Sequence, residues 1–271
     1  MLDFDVIDGW QDELEKMNEG KEGASFRYPE SFVQLLGYMR AYFHLPYRQT
    51  EGVVKAHAKK VPSIPDYSTL CRRINSLDIR VDEKVGNNIV IALDSTGIKV
   101  ANRGEWMRHK WHVRRGYLKI HVAVDIRKKK VVSMEVTSEE VHDSKVLKKL
   151  VKGATENNDV GRVLADGAYD TKENFWYLDD NNIEAAIRVK KNSSGKSHGC
   201  YPRKLVVLQQ LSDFDKWKRS VSYGHRWIVE SVFSAMKRMF GENVTARSYQ
   251  NMVKEMFLKA SLYNMFVGMK L

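Results

Sequence analysis

The chain has 271 residues, 43% hydrophobic and 29% charged, with a formal net charge of +11 and two cysteines. That is enough apolar material for a sizeable core, while the longest apolar runs, such as 89–93, are far too short to cross a bilayer. Cys71 and Cys200 form neither a CxxC pair nor a disulfide framework, and the acidic start lacks the basic and apolar progression of a signal peptide. A reducing, cytoplasmic setting is expected, with both thiols as packing groups.

The charge is unevenly spread. Residues 1–25 carry −6, the other 246 residues +17, and residues 99–130 alone +9 from eleven Lys and Arg. An excess this concentrated, interleaved with Trp106, Trp111 and Tyr117, fits a nucleic acid better than a membrane surface. Arg114 and Arg115 are its candidate DNA contacts.

In chain order, residues 1–25 read as an acidic lead-in without fixed structure. From 26 to 84 the pattern is helical: Phe32, Leu35, Leu36, Met39 and Phe43 recur at helical spacing until His44-Leu45-Pro46. A second helix is expected from Arg48 to Lys60, and a third after Pro62 and Pro65, capped by Ser68 or Thr69 and carrying Leu70, Ile74 and Leu77. Its outward Arg72 and Arg73 suit the last helix of a helix-turn-helix-like module, which would enter a DNA groove.

After Asn87-Asn88 the texture turns to strands. Ile89–Leu93 is an apolar run ending at Asp94. Tyr117–Asp125 and Val131–Val136 flank the charged turn Arg127–Lys130, and Arg162–Ala165 ends at Asp166. Asp143 or Ser144 is read as the cap of a helix bearing Val146, Leu147, Leu150 and Val151. A helix near 172–181 and a strand at 183–189 follow, then an irregular insertion at 190–222 and two late helices. The alternation predicts an α/β fold, a mixed sheet flanked by helices, over 85–271.

Asp94 and Asp166 share one local pattern, an apolar strand ending in a carboxylate, which places both where α/β sheets bind ligands. If the strands are neighbours, the two acids need a cation between them. Oxygen donors without cysteine favour Mg2+ or Mn2+ over zinc. Near the end, Tyr223, Arg226, Glu230 and Lys237 are spaced by 3, 4 and 7 residues. One helix would gather them within an arc of roughly 60°. Such a stripe fits either a salt-bridged solvent face or a site where Glu230 completes an acidic triad and the cations hold phosphates. A triad of this kind can hold two ions at a phosphodiester.

The remaining candidates have plainer readings. Asp125 is read as a hairpin-turn carboxylate and Asp170 as part of a helix start. His109 and His112 lack the partners of a zinc site, and His142 and His225 only flank the presumed centre. Trp217 is either a base-stacking group or a small-core tryptophan.

The Leu93-Asp94-Ser95-Thr96 strand, the Leu164-Ala165-Asp166-Gly167-Ala168-Tyr169 strand and the Tyr223/Arg226/Glu230/Lys237 helix together resemble insertion-sequence DDE transposases, specifically the Tyr-Arg-Glu-Lys signature group. Arg48–Gly52 and Tyr67–Leu70 resemble that group's N-terminal region, so the resemblance covers roughly 30–270. It implies a ribonuclease H-like core with Asp94, Asp166 and Glu230 as the metal-binding catalytic triad. It also implies that Tyr223, Arg226 and Lys237 contact DNA phosphates. The implied enzyme is prokaryotic and nucleoid-associated. It cuts double-stranded DNA at terminal inverted repeats and joins the freed 3′-hydroxyl to target DNA, as a homodimer or higher oligomer with two Mg2+ or Mn2+ ions. The insertion at 190–222 is short beside members carrying a large β-rich insert. The competing expectation is a transposase-derived DNA-binding protein without catalytic activity.

Overall fold

The computed structural model describes residues 4–81, 83–101, 116–196 and 199–269. Among these, no helix is long and apolar enough to cross a membrane. The chain forms two compact units, one from Met1–Ile79 with Ala246–Leu262, the other from Arg80–Thr245 with Tyr263–Leu271. The first unit therefore takes in a C-terminal segment that lies far beyond the 26–84 span read from the sequence.

In the first unit, α1 (Trp10–Asn18), α2 (Glu30–Phe43), α3 (Tyr47–Ala56) and α4 (Tyr67–Ser76) share a core of Trp10, Phe32, Leu36, Val54, Leu70 and Ile74. The acidic lead-in is thus ordered around one aromatic: Trp10 is 3% exposed, its ring 4.9 Å from that of Phe32. Its eight acids dominated the sequence pattern and hid this anchor. Pro46 precedes α3, which stops at Ala56, short of Lys60. The cap of α4 is Asp66, whose Oδ1 accepts from Ser68 and Thr69 N–H at 2.8 and 3.0 Å; those two residues lie inside the helix. The last helix, α10 (Tyr249–Gly268), packs its first part on α2, where a Cβ on Gly37 would come within 3.2 Å of Leu258. Tyr38 Oη and Ser261 Oγ meet there at 2.8 Å.

The second unit is built on a mixed sheet of β1 (Ile89–Val100), β2 (Tyr117–Asp125), β3 (Val131–Ser138), β4 (Val160–Ala165) and β5 (Glu184–Ile187), ordered β3-β2-β1-β4-β5. β6 (Asn243–Val244) pairs with the far end of β1. β2 runs antiparallel to both β1 and β3, whereas β4 and β5 run parallel to β1. The β2–β3 turn is closed by fully buried Asp125, which accepts from Lys128 N–H at 2.6 Å. Ile89, Ile91 and Leu93 enter a core with residues of α5 (Leu147–Thr155) and α6 (Lys172–Asp180). By strand alternation Ala92, Asp94 and Thr96 take the opposite face. Thr171 caps α6 by accepting from Asn174 N–H.

The insertion read as irregular contains two helices, α7 (Tyr201–Ser212) and α8 (Phe214–Ser220). The Ser- and Gly-rich lead at 193–199 masked them. Trp217 is 3% exposed, tilted against Phe214 and Tyr223 at 5.6 and 5.1 Å, so it is a core group and has no face for a base. Asp170 is fully buried and takes a two-pronged pair from Arg203 of α7 at 2.6 and 2.8 Å, with Lys190 N–H as a third donor. The insertion is thereby tied to the turn that follows Asp166.

Candidate active site

β1 continues six residues beyond Asp94, so this carboxylate stands in mid-strand. What ends near it is the parallel pairing: Ile91 lies opposite Val163 and Ala92 opposite Leu164, and β4 stops at Ala165. Continued by two residues, this register sets Asp94 opposite Asp166. Asp166 opens a short 3-10 turn, Gly167–Tyr169, and its Oδ1 accepts from Ala168 N–H at 2.9 Å.

Glu230 arrives on α9 (Trp227–Phe240), whose buried face is Ile228, Val229, Val232, Phe233, Met236 and Phe240. Gly241, at φ 74°, ends this helix. The carboxylate sits in the first turn and Lys237 and Arg238 in the last, as the helix dipole favours. The four-residue stripe is not one α-helix. Tyr223–Arg226 is a 3-10 turn entered through left-handed Ser222, and Tyr223 is buried against Trp217. Tightening to three residues per turn rotates Tyr223 away from the α-helical stripe, although its hydroxyl still shares a hydrogen bond with Arg226.

Arg226 is the hub. Its Nη2 donates to Glu230 Oε1 at 2.6 Å, and its Nη1 stands 3.3 Å from Asp94 Oδ2. Burial works against the guanidinium, but Asp94, Tyr223, Glu230 and Asp166 outweigh it and hold the pKa above the usual value. Burial pushes the Asp94 carboxyl up; Ser95 N–H and Arg226 pull it down, and the charges of Asp166 and Glu230 push it up again. Lys237 Nζ donates to Thr96 Oγ1 at 2.8 Å. A groove of about 490 Å³ runs past Asp94, Thr96, Glu230, Ser234, Lys237 and Arg238.

The donor set is wholly hard oxygen, and Asp94 is raised by two neighbouring acids as well as by burial, so these residues fit a divalent cation. Among the described residues no three Asp, Glu, His or Cys groups stand close enough to cage an ion; the Arg226 guanidinium lies between Asp94 and Glu230.

In the first unit, Arg72 is exposed and donates to Thr69 at 3.3 Å, while Arg73 lies 4.5 Å over the Phe26 ring and donates to Tyr28 O. Arg114 and Arg115, like His109 and His112, lie outside the described residues. Trp227, 55% exposed beside Arg226, has no counterpart in the sequence reading, and neither does Thr96 as a lysine partner. Asp143 is a correction. It does not cap α5; its Oδ1 lies 2.9 Å from Lys119 Nζ and 3.1 Å from His121 Nδ1. Its helical neighbours supplied the capping pattern, but the strand-borne partners that claim it are distant in sequence.

The fold and site define a mixed α/β centre in which Arg226 bridges Asp94 and Glu230, with Asp166 in the turn after the neighbouring parallel strand. Residues 86–265 match the family model described as Transposase DDE domain, and residues 1–103 match a second model with the same description. The chain belongs to the DDE-domain transposase family. Among solved structures it is similar to a simian T-cell lymphotropic virus intasome in complex with PP2A regulatory subunit B56 gamma (13% identity, 72% of this chain and 65% of that one, TM-score 0.31). It is also similar to a piggyBac transposase synaptic complex with hairpin DNA (12%, 97% and 72%, TM-score 0.44) and a Drosophila P element transposase strand transfer complex (12%, 96% and 69%, TM-score 0.34). The chain spans just under two thirds of the first of these.

Proposed function

We propose that the protein is an insertion-sequence transposase of the Tyr-Arg-Glu-Lys signature group with a ribonuclease H-like catalytic core. On this reading it cleaves DNA at terminal inverted repeats and joins the 3′-hydroxyl to target DNA. The observation that carries this is the placement of Asp94 two residues past Ala92 and of Asp166 two past Leu164, the last pair between parallel β1 and β4, with Arg226 bridging Asp94 to Glu230. The family match and the β3-β2-β1-β4-β5 order support it.

In this mechanism Asp94, Asp166 and Glu230 hold Mg2+ or Mn2+, which when bound supply charge neutralisation at the attacking and leaving oxygens of the phosphodiester. Arg226 turns from the carboxylates to a phosphate, a bidentate partner of matching geometry. Lys237 holds a phosphate beside Thr96 as a point charge. Tyr223, backed by Trp217, fixes the approach of Arg226. Positioning and electrostatics then supply most of the rate. Arg72 and the 99–130 stretch with Arg114 and Arg115 contribute sequence-independent affinity, Arg73 helps shape the N-terminal helical module, and the active form on DNA is a dimer or larger.

The test is incubation with Mg2+ and duplex DNA carrying the element's inverted repeats. Nicking and strand transfer, both lost in Asp166→Asn, are expected. Repeat binding without nicking would favour a non-catalytic DNA-binding role, and nicking that survives Asp166→Asn would overturn the site assignment.

A further inference from the structure

Beside the acidic site, starting from the residue after Asp94, lies a polar cluster that the proposed reaction does not use. Ser95 follows Asp94 and pairs across the strands with His121. His121 is fully buried; its Nε2 lies 2.9 Å from Thr137 Oγ1 and its Nδ1 3.1 Å from Asp143. Lys119 Nζ lies 2.9 Å from the same Asp143 oxygen. Burial pushes the Asp143 carboxyl up, yet the neighbouring His121, Lys119 and Ser95 outweigh it and hold it well below the usual range. Asn174 donates to both Ser144 O and Tyr169 O at 3.0 Å, tying the turn after Asp166 to the turn that bears Asp143.

At the centre of this frame stands Tyr169. It is 1% exposed, and its hydroxyl makes no hydrogen bond among the described residues. Burial pushes its pKa far up, and the charges of Asp143, Asp94 and Asp166 push the same way. A buried hydroxyl without a partner costs stability, and phenylalanine would fill the same volume. A buried tyrosine placed near three carboxylates carries a donor that its packing does not use.

We infer that Tyr169 is a positioning residue of the acidic site, whose hydroxyl donates to the carboxylate oxygens of Asp94 or Asp166 when those groups take up a divalent cation, with Asn174 tying its backbone to the turn that bears Asp143. The inference rests on the reading of Asp94, Asp166 and Glu230 as cation ligands. Partners of this outer kind orient ligands, and their loss costs roughly 10–100-fold in metal affinity.

The experiment is Mn2+ titration calorimetry on the DNA-free protein, with thermal melting of the same samples. Tyr169→Phe is expected to weaken Mn2+ binding about 10-fold while its Tm stays equal or rises. That pairing separates positioning from packing, because a merely structural hydroxyl would move neither or would lower Tm. Asp143→Asn is expected to weaken Mn2+ binding as well. In Asp143→Asn/Lys119→Met, where the lost charge is balanced, the weakening should persist as stability recovers. Unchanged Mn2+ affinity in Tyr169→Phe, beside a clear loss in Asp166→Asn, overturns the inference alone. Unchanged affinity in Asp166→Asn overturns the cation-site reading and the inference with it.

Discussion

Arg226 occupies the space between Asp94 and Glu230, 2.6 Å from one carboxylate oxygen and 3.3 Å from the other. The guanidinium supplies positive charge to both acids. Cation and DNA therefore draw on the same residue from opposite sides: a cation repels it, and a phosphate offers it a new partner.

Arg226→Ala is expected to tighten Mn2+ binding to the DNA-free protein, on the order of 10-fold for loss of one nearby positive charge. The same variant should bind DNA more weakly, with the slope of log K against log salt shallower by about 1. Calorimetry and salt-dependent anisotropy read the two effects. An unchanged salt slope would count against phosphate contact.

Asp94→Asn and Glu230→Gln keep volume and remove charge. Both should lower cleavage of inverted-repeat DNA by at least about 100-fold while duplex binding stays the same or strengthens, since each subtracts a negative charge from the groove beside Lys237 and Arg238. A gel assay scoring bound and nicked DNA separates the two. Equal loss of binding and cleavage would point to misfolding instead.

Trp217→Ala removes a buried indole from between Phe214 and Tyr223 and is expected to cost about 3–5 kcal/mol in denaturant unfolding. Arg203→Ala leaves buried Asp170 without its two-pronged partner, for a loss of about 3–5 kcal/mol. In the first variant, Tyr223 loses its support, so DNA cleavage at permissive temperature should fall further than stability alone predicts.

In the first unit, Glu255 lies 2.9 Å from Lys259, both nearly fully buried. Burial pushes the Glu255 carboxyl up, but Lys259 and the Ala246 N–H prevail and hold it below the usual range. A depressed carboxylate stabilises the fold above its unfolded-state pKa, about 4.3, and the gain is lost as pH falls below that value through the folded-state pKa. The Tm advantage of wild type over Glu255→Gln should thus be full at pH 7 and shrink on acidification from pH 5 to pH 3. A difference constant across that range would refute the pairing.

What could be read in the sequence was whatever local periodicity encodes. The strand that ends just before Asp166, the helix under Glu230 and the mixed α/β character follow from runs of a few residues and their punctuation, whereas β1 runs on six residues past the end read at Asp94. What was hidden depended on partners remote in the chain. Asp143 resembled a helix cap until Lys119 and His121, on a different strand, were seen to take it. Trp217 had a stacking role open to it until it was found buried against Tyr223 and Phe214. Trp10 was lost among acids, and the helices of 201–220 behind a flexible-looking preface. Tyr223 was placed on the wrong helix type because spacing alone does not distinguish 3.6 from 3.0 residues per turn.

The facing positions of Asp94 and Asp166 come from strand register, a whole-number property of the backbone. Adjacent strands lie about 4.8 Å apart, so the reach between these acids is set by main-chain hydrogen bonding and resists drift in the surrounding side chains. Frame errors are another matter. One residue deleted from β1 ahead of Asp94 would swing the carboxylate to the face of Leu93, and no repacking could return it. Across a library, the 89–93 segment should accept many apolar exchanges yet reject every single-codon gain or loss, so the inherited quantity at this centre is a count of residues more than their identity.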